Sequence, residues 1–169
     1  MSARILACVA TMVLLGGCVT RYDRPQIRTV SSPTMQRLAC PLRLAEVVDA
    51  RPTQEAGMLG SHAFSLANAA ASIGEALKAL GWSTSAEARP VTVTIKKLYV
   101  GGERSTRIGV AALEVQPQGL RPFLVRGQAA QMNWTASQTA AAASLTKAVD
   151  GARDQLAVQL NQTCSASGG

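Results

Sequence analysis

The sequence predicts a small α+β domain of the order β-α-β-β-β-α, in which an antiparallel sheet of about four strands carries two helices packed on one face. Three observations predict this class. Two segments, Leu66–Leu80 and Ser137–Asn161, repeat apolar residues every three or four positions, as helices with one buried face do. The segments between them alternate apolar and polar residues, as strands do. Turn-forming sequences separate those strands, which is typical of antiparallel hairpins.

The first strand is predicted at Pro41–Val48, and Asp49-Ala50-Arg51-Pro52 turns the chain out of it. A glycine-containing loop leads to the first helix, which ends at Gly81 because glycine suits the left-handed position at a helix C-terminus. The apolar face of this helix consists of Leu66, Ala70, Ile73, Leu77 and Leu80.

Three further strands are predicted at Val91–Val100, Thr106–Val115 and Pro122–Trp134. In the first of them, Tyr99 is predicted to share the buried face of Val91, Val93 and Ile95. In the third, Gly127 is predicted to mark a bulge. The apolar face of the second consists of Ile108, Val110 and Ala112.

The last element is a helix from about Ser137 to Asn161, for which Ser137 is a good N-cap. The helix is rich in alanine, and alanine both favours helix formation and permits close approach to a sheet. Its apolar face consists of Ala141, Leu145, Val149, Ala152, Leu156 and Leu160.

Residues 1–17 have the pattern of a bacterial secretory signal peptide. Arg4 supplies a basic start, and Ile5–Leu15 is apolar apart from one threonine. This run is shorter than the roughly 20 residues of a spanning helix. Leu15-Gly16-Gly17-Cys18 resembles the lipobox of bacterial lipoproteins, which implies that Cys18 becomes the N-terminus and carries acyl chains such as palmitate. The alternative is a plain signal peptide with an inert cysteine.

The lipoprotein resemblance also implies a location. An aspartate directly after the acylated cysteine often retains such proteins at the inner membrane, but Val19 and Thr20 follow here. The expected location is therefore the outer membrane, with the domain facing the periplasm. Residues 18–39, with their prolines and arginines, are predicted to form a flexible basic tether. Residues 40–164 form the single domain, and residues 165–169 a disordered tail.

Cys40 and Cys164 are the cysteines that remain, because Cys8 leaves with the signal peptide and Cys18 is acylated. The periplasm oxidises thiols, so we expect these two to form one disulfide that ties the ends of the domain together. Two free thiols, or a thiol bonded to another protein, are the alternatives. A metal site is not expected, because the cysteines are isolated and the chain has one histidine.

Sequence patterns of catalysis do not occur, so we predict no enzyme, no catalytic residue and no cofactor. His62 lies in a glycine-flanked stretch and is interpreted as a solvated loop residue. Glu46 and Asp49 could act as a carboxylate pair in a hydrolase, although a salt bridge or a turn cap is the ordinary explanation for such residues.

Two sets of residues are candidates for partner contacts. Trp82 and Trp134 could anchor a partner, since tryptophan is enriched at interfaces, or they could cover the edge of the core. The net charge is +7, and a basic patch for anionic lipid or glycan is weighed against a merely soluble sheet edge. Nucleic acid is excluded because the periplasm contains almost none. The basic residues are Lys96, Lys97, Arg104, Arg107, Arg121 and Arg126.

Over Pro41–Leu160, the chain resembles the YajG-type lipoproteins of proteobacteria. The resemblance lies in the first strand followed by Asp49-x-Arg51, in Gly81-Trp82 at the helix end, in the strand "VTVTIKKLYV", and in the long last strand that runs into an alanine-rich helix. It implies an outer-membrane lipoprotein without a known reaction, and it supplies no catalytic residues. The Cys40 and Cys164 pair is not part of that family's pattern.

Small α+β lipoproteins of neighbouring kinds activate peptidoglycan synthases, assemble secretion channels or assist lipid transporters. By that resemblance we expect a non-catalytic accessory or scaffolding subunit that docks an envelope protein through its open sheet face or an edge strand. The alternative is a carrier of lipid or glycan fragments, which needs a cavity between sheet and helices. A homo-oligomer stays open.

Overall fold

The computed structural model describes residues 20–22, 36–103, 105–132 and 137–166. The signal peptide, Cys18 and Trp134 lie outside the described residues. The elements are β1 (Thr20–Tyr22), β2 (Leu42–Asp49), β3 (Glu55–Leu59), β4 (His62–Ser65), α1 (Ala69–Lys78), β5 (Arg89–Glu103), β6 (Thr106–Pro117), β7 (Phe123–Met132) and α2 (Gln138–Ala166).

The α+β class with two helices is confirmed, but the predicted sheet is wrong in strand number, in direction and in element order. One mixed sheet of seven strands runs in the order β1-β4-β3-β5-β6-β7, and β2 also pairs with β5. The first predicted strand, now β2, lies parallel to β5 rather than antiparallel. The segment between β2 and β5 contains α1, and a helix in the connection lets two strands enter a sheet in the same direction.

β5 is the centre of the sheet. One edge pairs antiparallel with β6 from Val91 to Glu103, and β6 pairs antiparallel with β7. The other edge pairs first with β2 and then, at Val100, with β3. Because β5 has 15 residues, it is long enough to accept two shorter strands one after the other.

The strands that the sequence did not predict are β1, β3 and β4. β3 has five residues, a register shift, and Gly57 with a φ of 103°. β4 has four residues, and β1 has three that pair in parallel with β4 where a flexible tether was predicted. Strands this short show too few alternations to be separated from a loop by sequence pattern.

A β-bulge between Ile95 and Lys97 changes which residues of β5 face the core. Ile95 is buried before the bulge, and Leu98 and Val100 are buried after it. Tyr99 is 42% exposed, so the prediction that it shares the buried face of Ile95 is wrong. The inserted residue shifts the alternation of buried and exposed side chains by one position. In the sequence, the bulge appears as Lys97 followed by the apolar residues Leu98 and Val100 at alternate positions.

Both helices pack into one buried cluster with the sheet. Ile73 and Leu77 of α1 and Leu145 and Leu156 of α2 are fully buried in it, as their spacing predicted. The N-cap of α2 is confirmed, because the Ala140 amide donates to the Ser137 hydroxyl oxygen at 3.2 Å. Among the described residues, neither helix is long and apolar enough to cross a membrane.

The backbone of α2 lies directly on β6 and β7. A Cβ atom on Gly127 would overlap the carbonyl oxygen of Ala148, and one on Gly109 would overlap that of Ser144. Gly127 pairs in regular register with Ala111, so the predicted bulge at this glycine is wrong. The glycines are needed because a side chain there would separate helix and sheet.

A disulfide joins Cys40 to Cys164, with the two Cα atoms 6.0 Å apart, as predicted. Beside it, the Asn161 side chain accepts a hydrogen bond from the Ala39 amide at 2.8 Å and donates one to the Arg37 carbonyl at 2.9 Å. The chain that enters β2 is therefore fastened to the C-terminal part of α2 by one covalent bond and two hydrogen bonds.

Candidate functional site

The face of β5, β6 and β7 that points away from α2 is here named the outer face. Its residues alternate with Gly109, Ala111 and Leu113, which face the helix side. Residues paired across strands share a face, so the strand registers define which side chains lie together. The outer face consists of Thr94, Lys96, Lys97, Tyr99, Ile108, Val110, Ala112, Glu114, Leu124, Arg126, Gln128, Ala130 and Met132.

The centre of the outer face is apolar. Val110 is 6% exposed and Ala112 is 9% exposed, although both point away from α2. Tyr99 lies opposite Val110, and Ala112 lies between Lys97 and Arg126. We infer that these longer neighbours cover the two small residues, since directly opposed side chains are in contact range.

Tyr99 lies flat against the sheet. A Cβ atom on Gly57 would come 2.9 Å from its Cε2 atom, and one on Gly101 would overlap the phenol ring. The Lys97 ammonium lies 5.3 Å from the centre of the ring, within the range of a cation–π contact. The absence of side chains at Gly57 and Gly101 therefore leaves room for the ring to lie against the backbone, while the residue stays 42% exposed.

The outer face carries more positive than negative charge. Lys96 and Glu114 form an ion pair at 2.7 Å, with side chains 45% and 40% exposed. Lys97 and Arg126 form no ion pair with another residue of the described part of the chain. Leu124 and Met132 are 58% and 59% exposed, so the surface combines unpaired cations with large accessible apolar side chains.

The other basic candidates do not join this surface. Arg107 donates to the Ser144 hydroxyl at 2.8 Å and to the Gln131 side-chain oxygen at 3.0 Å, on the helix side of the sheet. Arg121 is exposed in the turn between β6 and β7. Arg104 lies outside the described residues. The structure thus brings together three of the six predicted basic residues.

Trp82 does not lie on the outer face. Its indole N–H donates to the Leu77 carbonyl at 2.7 Å, and its ring packs against the buried cluster. This is the geometry of a side chain that covers the edge of the core, the second of the two explanations considered for it. Trp134 lies outside the described residues.

Glu46 and Asp49 are not brought together. Glu46 pairs with Thr92 and Asp49 with Ile95, on opposite faces of the sheet. Asp49 instead accepts two hydrogen bonds of 2.8 Å from the Arg51 guanidinium, which also donates to the Leu66 carbonyl at 2.6 Å. The Arg51 hydrogen bond, opposed in part by burial, lowers the pKa of Asp49. Through these hydrogen bonds, Arg51 links the end of β2 at Asp49 to the chain before α1 at Leu66.

His62 lies in β4 rather than in a loop, opposite Leu59 of β3 and Thr20 of β1, and it is half-buried. Among the residues that the structure describes, no group of three or more histidine, cysteine or carboxylate side chains is placed to hold a metal ion.

Arg153 is a buried charge that the sequence did not predict. Its side chain is 1% exposed, with Asp150 Oδ1 at 2.9 Å from Nη1 and Asp154 Oδ1 at 3.2 Å from Nη2. The contact with Asp150 lacks hydrogen-bond alignment. Burial raises the pKa of Asp150, and the Arg153 charge opposes that effect only in part. We assign the cluster a structural role, since a buried guanidinium requires a nearby counter-charge.

The architecture defines an α+β protein with a seven-stranded mixed sheet, and a solved structure shares it. Protein XCC0632 from Xanthomonas campestris, described under the family model DUF330, has a TM-score of 0.56 and 13% sequence identity. That similarity covers 89% of this chain and all of the other, 100%. At this identity, the comparison shows a common fold alone.

A second solved structure, of an uncharacterized protein, has a TM-score of 0.44 and 11% identity, over 86% of this chain and 97% of that one. No protein-family model matches the chain. No curated protein matches it either.

Proposed function

We propose that this chain is a YajG-type lipoprotein, anchored through Cys18 to the periplasmic side of the outer membrane, and a non-catalytic accessory subunit of an envelope complex. The outer face carries the proposal, because it places the exposed side chains of Tyr99 and Leu124 on the same surface as the Lys97 and Arg126 cations. The lipobox-like residues before Cys18 support the anchor. The fold shared with the DUF330 protein is consistent with the family resemblance.

The chemistry of the outer face suits a protein partner with apolar side chains bordered by carboxylates. Tyr99 and Leu124 offer apolar area, and aromatic side chains often act as interface anchors. Lys97 and Arg126 offer positive charge, which attracts acidic partners during diffusional encounter and repels basic surfaces. Because the Tyr99 ring already packs against Gly57 and Gly101, it has less rotational freedom to lose on binding.

The structure gives the carrier alternative no specific support. A carrier needs space between the helices and the sheet, but Gly109 and Gly127 bring the backbone of α2 into contact with β6 and β7. A lipid chain could enter there only if the helix moved off the sheet. The accessory subunit is therefore the function that this geometry favours.

A photoreactive amino acid in place of Leu124 tests the contact surface in intact cells. We expect one dominant adduct with an envelope protein, because this position is exposed at the edge of the apolar centre. The matched control is the same amino acid at Val158, which is 39% exposed on α2 and should give no such adduct. Combined with the photoreactive amino acid at position 124, Arg126→Glu should reduce the adduct several-fold, because it reverses the charge that attracts an acidic partner. Equal adducts at both positions would refute the outer face as the contact, and an adduct only with itself would show a homo-oligomer.

Cys18→Ser tests the anchor. We expect the variant to leave the membrane fraction, because acyl chains contribute about 0.8 kcal/mol per buried methylene and their loss removes the attachment. Membrane fractionation and the mass of the N-terminal peptide measure the result. Continued membrane association with unchanged acylation would show that Cys18 is not the anchor.

A further inference from the structure

β1 begins two residues after the predicted anchor and is already part of the sheet. The Thr20 amide donates to the Ser61 carbonyl at 3.1 Å, and Thr20 pairs with His62. β1 runs parallel to β4, which starts directly after the turn Gly60–Ser61. The chain before Thr20 therefore leaves the sheet at the end where that turn lies.

The covalent chain sets how far the anchor can be from this turn. Consecutive Cα atoms are 3.8 Å apart, so the Cα atom of Cys18 lies at most about 8 Å from that of Thr20. In the proposed anchor, the acyl groups on Cys18 enter the bilayer. The turn between β3 and β4 is consequently held within roughly 10–15 Å of the headgroup layer.

Other connections lie at the same end of the sheet. β3 runs parallel to β5, and a Cβ atom on Gly102 would come 3.2 Å from Leu59 Cδ2. Thr106 pairs with Glu103 and with Met132, which places the β5–β6 turn and the end of β7 beside the β3–β4 turn. We name this set the hairpin end. Among the described residues there, Gly60, Ser61, Gly102, Ser105, Thr106 and Met132 are exposed.

We propose that the hairpin end contacts the phospholipid headgroups, and that β1 is the short segment that connects it to the anchor. The proposal rests on the anchor in the proposed function. The hydroxyl groups of Ser61, Ser105 and Thr106 suit hydrogen bonding to phosphate, and Met132, at 59% exposure, suits the boundary with the acyl chains. Gln118, just past the opposite end of β6, lies roughly 40 Å from Thr106, since each strand residue advances about 3.3 Å. That end of the sheet therefore points toward the periplasm.

Fluorophores at two exposed turns test this orientation. Ser61→Cys and Gln118→Cys are labelled separately in the full-length, acylated protein, after mass analysis shows an intact Cys40–Cys164 disulfide. Each is placed in vesicles of phosphatidylethanolamine and phosphatidylglycerol that carry a headgroup nitroxide quencher. We expect the Ser61 probe to be quenched roughly fivefold more than the Gln118 probe. Nitroxide quenching requires near contact, and Gln118 lies at the opposite end of the strands from Ser61. A flexible ten-residue insert between Val19 and Thr20 should remove that difference.

The outcomes separate the inference from the proposed function. Acylated protein with equal quenching at positions 61 and 118 would overturn the orientation and leave the anchor intact. Greater quenching at position 118 would do the same and reverse the polarity. Protein without acyl groups on Cys18 would overturn the anchor, and with it both proposals.

Discussion

Gly127→Ala is expected to lower the free energy of unfolding by about 3 kcal/mol, the upper part of the range for overpacked cores. The added Cβ atom would overlap the Ala148 carbonyl oxygen and come 2.5 Å from the Ala152 amide nitrogen. These are backbone atoms of α2, which cannot rotate away as a side chain can. The helix must then move off the sheet and lose dispersion contacts with β6 and β7. Urea denaturation of the soluble domain measures the change.

Gly151→Ala is the matched control, because Gly151 lies on the α2 side of the same contact with Gly127. A Cβ atom on Gly151 would lie 3.5 Å from the Gly127 Cα atom, an ordinary van der Waals distance. Alanine is also favoured over glycine within a helix by about 1 kcal/mol. We expect this variant to be neutral or more stable than the parent. Equal stability of the two variants would show that α2 does not rest on Gly127 as the structure has it.

Removal of the disulfide by Cys40→Ala with Cys164→Ala is expected to lower the free energy of unfolding by about 3 kcal/mol. The two cysteines are 124 residues apart, so the bond restricts nearly the whole unfolded domain. The chain-entropy model gives up to about 5 kcal/mol for a loop of this length, and measured effects are usually smaller. The hydrogen bonds of Asn161 should keep the segment near Cys40 in place, so the native fold should persist.

Reduction provides the internal control for the disulfide. A thiol reductant should lower the denaturation midpoint of the parent protein to that of the double variant and leave the double variant unchanged. A parent protein that does not respond to reductant, with two free thiols by mass, would show that the bond does not form in the isolated domain.

The outer face and the hairpin end together suggest how the protein would work. If the hairpin end rests on the membrane, Tyr99 and Arg126 lie along the strands between the membrane and the periplasmic end. A partner bound there would be held beside the membrane at a set height. This arrangement requires a rigid sheet and a short connection to the anchor, and it requires no catalytic group.

The sequence alone predicted the elements whose pattern repeats often enough to be recognised. The buried face of α2 and the N-cap at Ser137 are as their spacing indicated. Of the predicted face of α1, Ile73 and Leu77 are buried and Ala70 is half-buried. Leu66 and Leu80 are buried but lie just outside the helix. The paired hairpins of β5, β6 and β7 are present for the same reason. The Cys40–Cys164 disulfide followed from the compartment and the cysteine count. The anchor at Cys18, outside the described residues, stays a prediction.

Only the tertiary structure decided the rest, because it depends on residues far apart in the chain. The parallel pairing of β2 with β5 and the short strands β1, β3 and β4 are stabilised by neighbours rather than by their own patterns. A single bulge moved Tyr99 from the predicted core to the outer face. Gly127 and Arg153 have roles that only the packing of α2 reveals. Periodicity reports which face of an element is buried, whereas contact between elements sets where that face lies and what it meets.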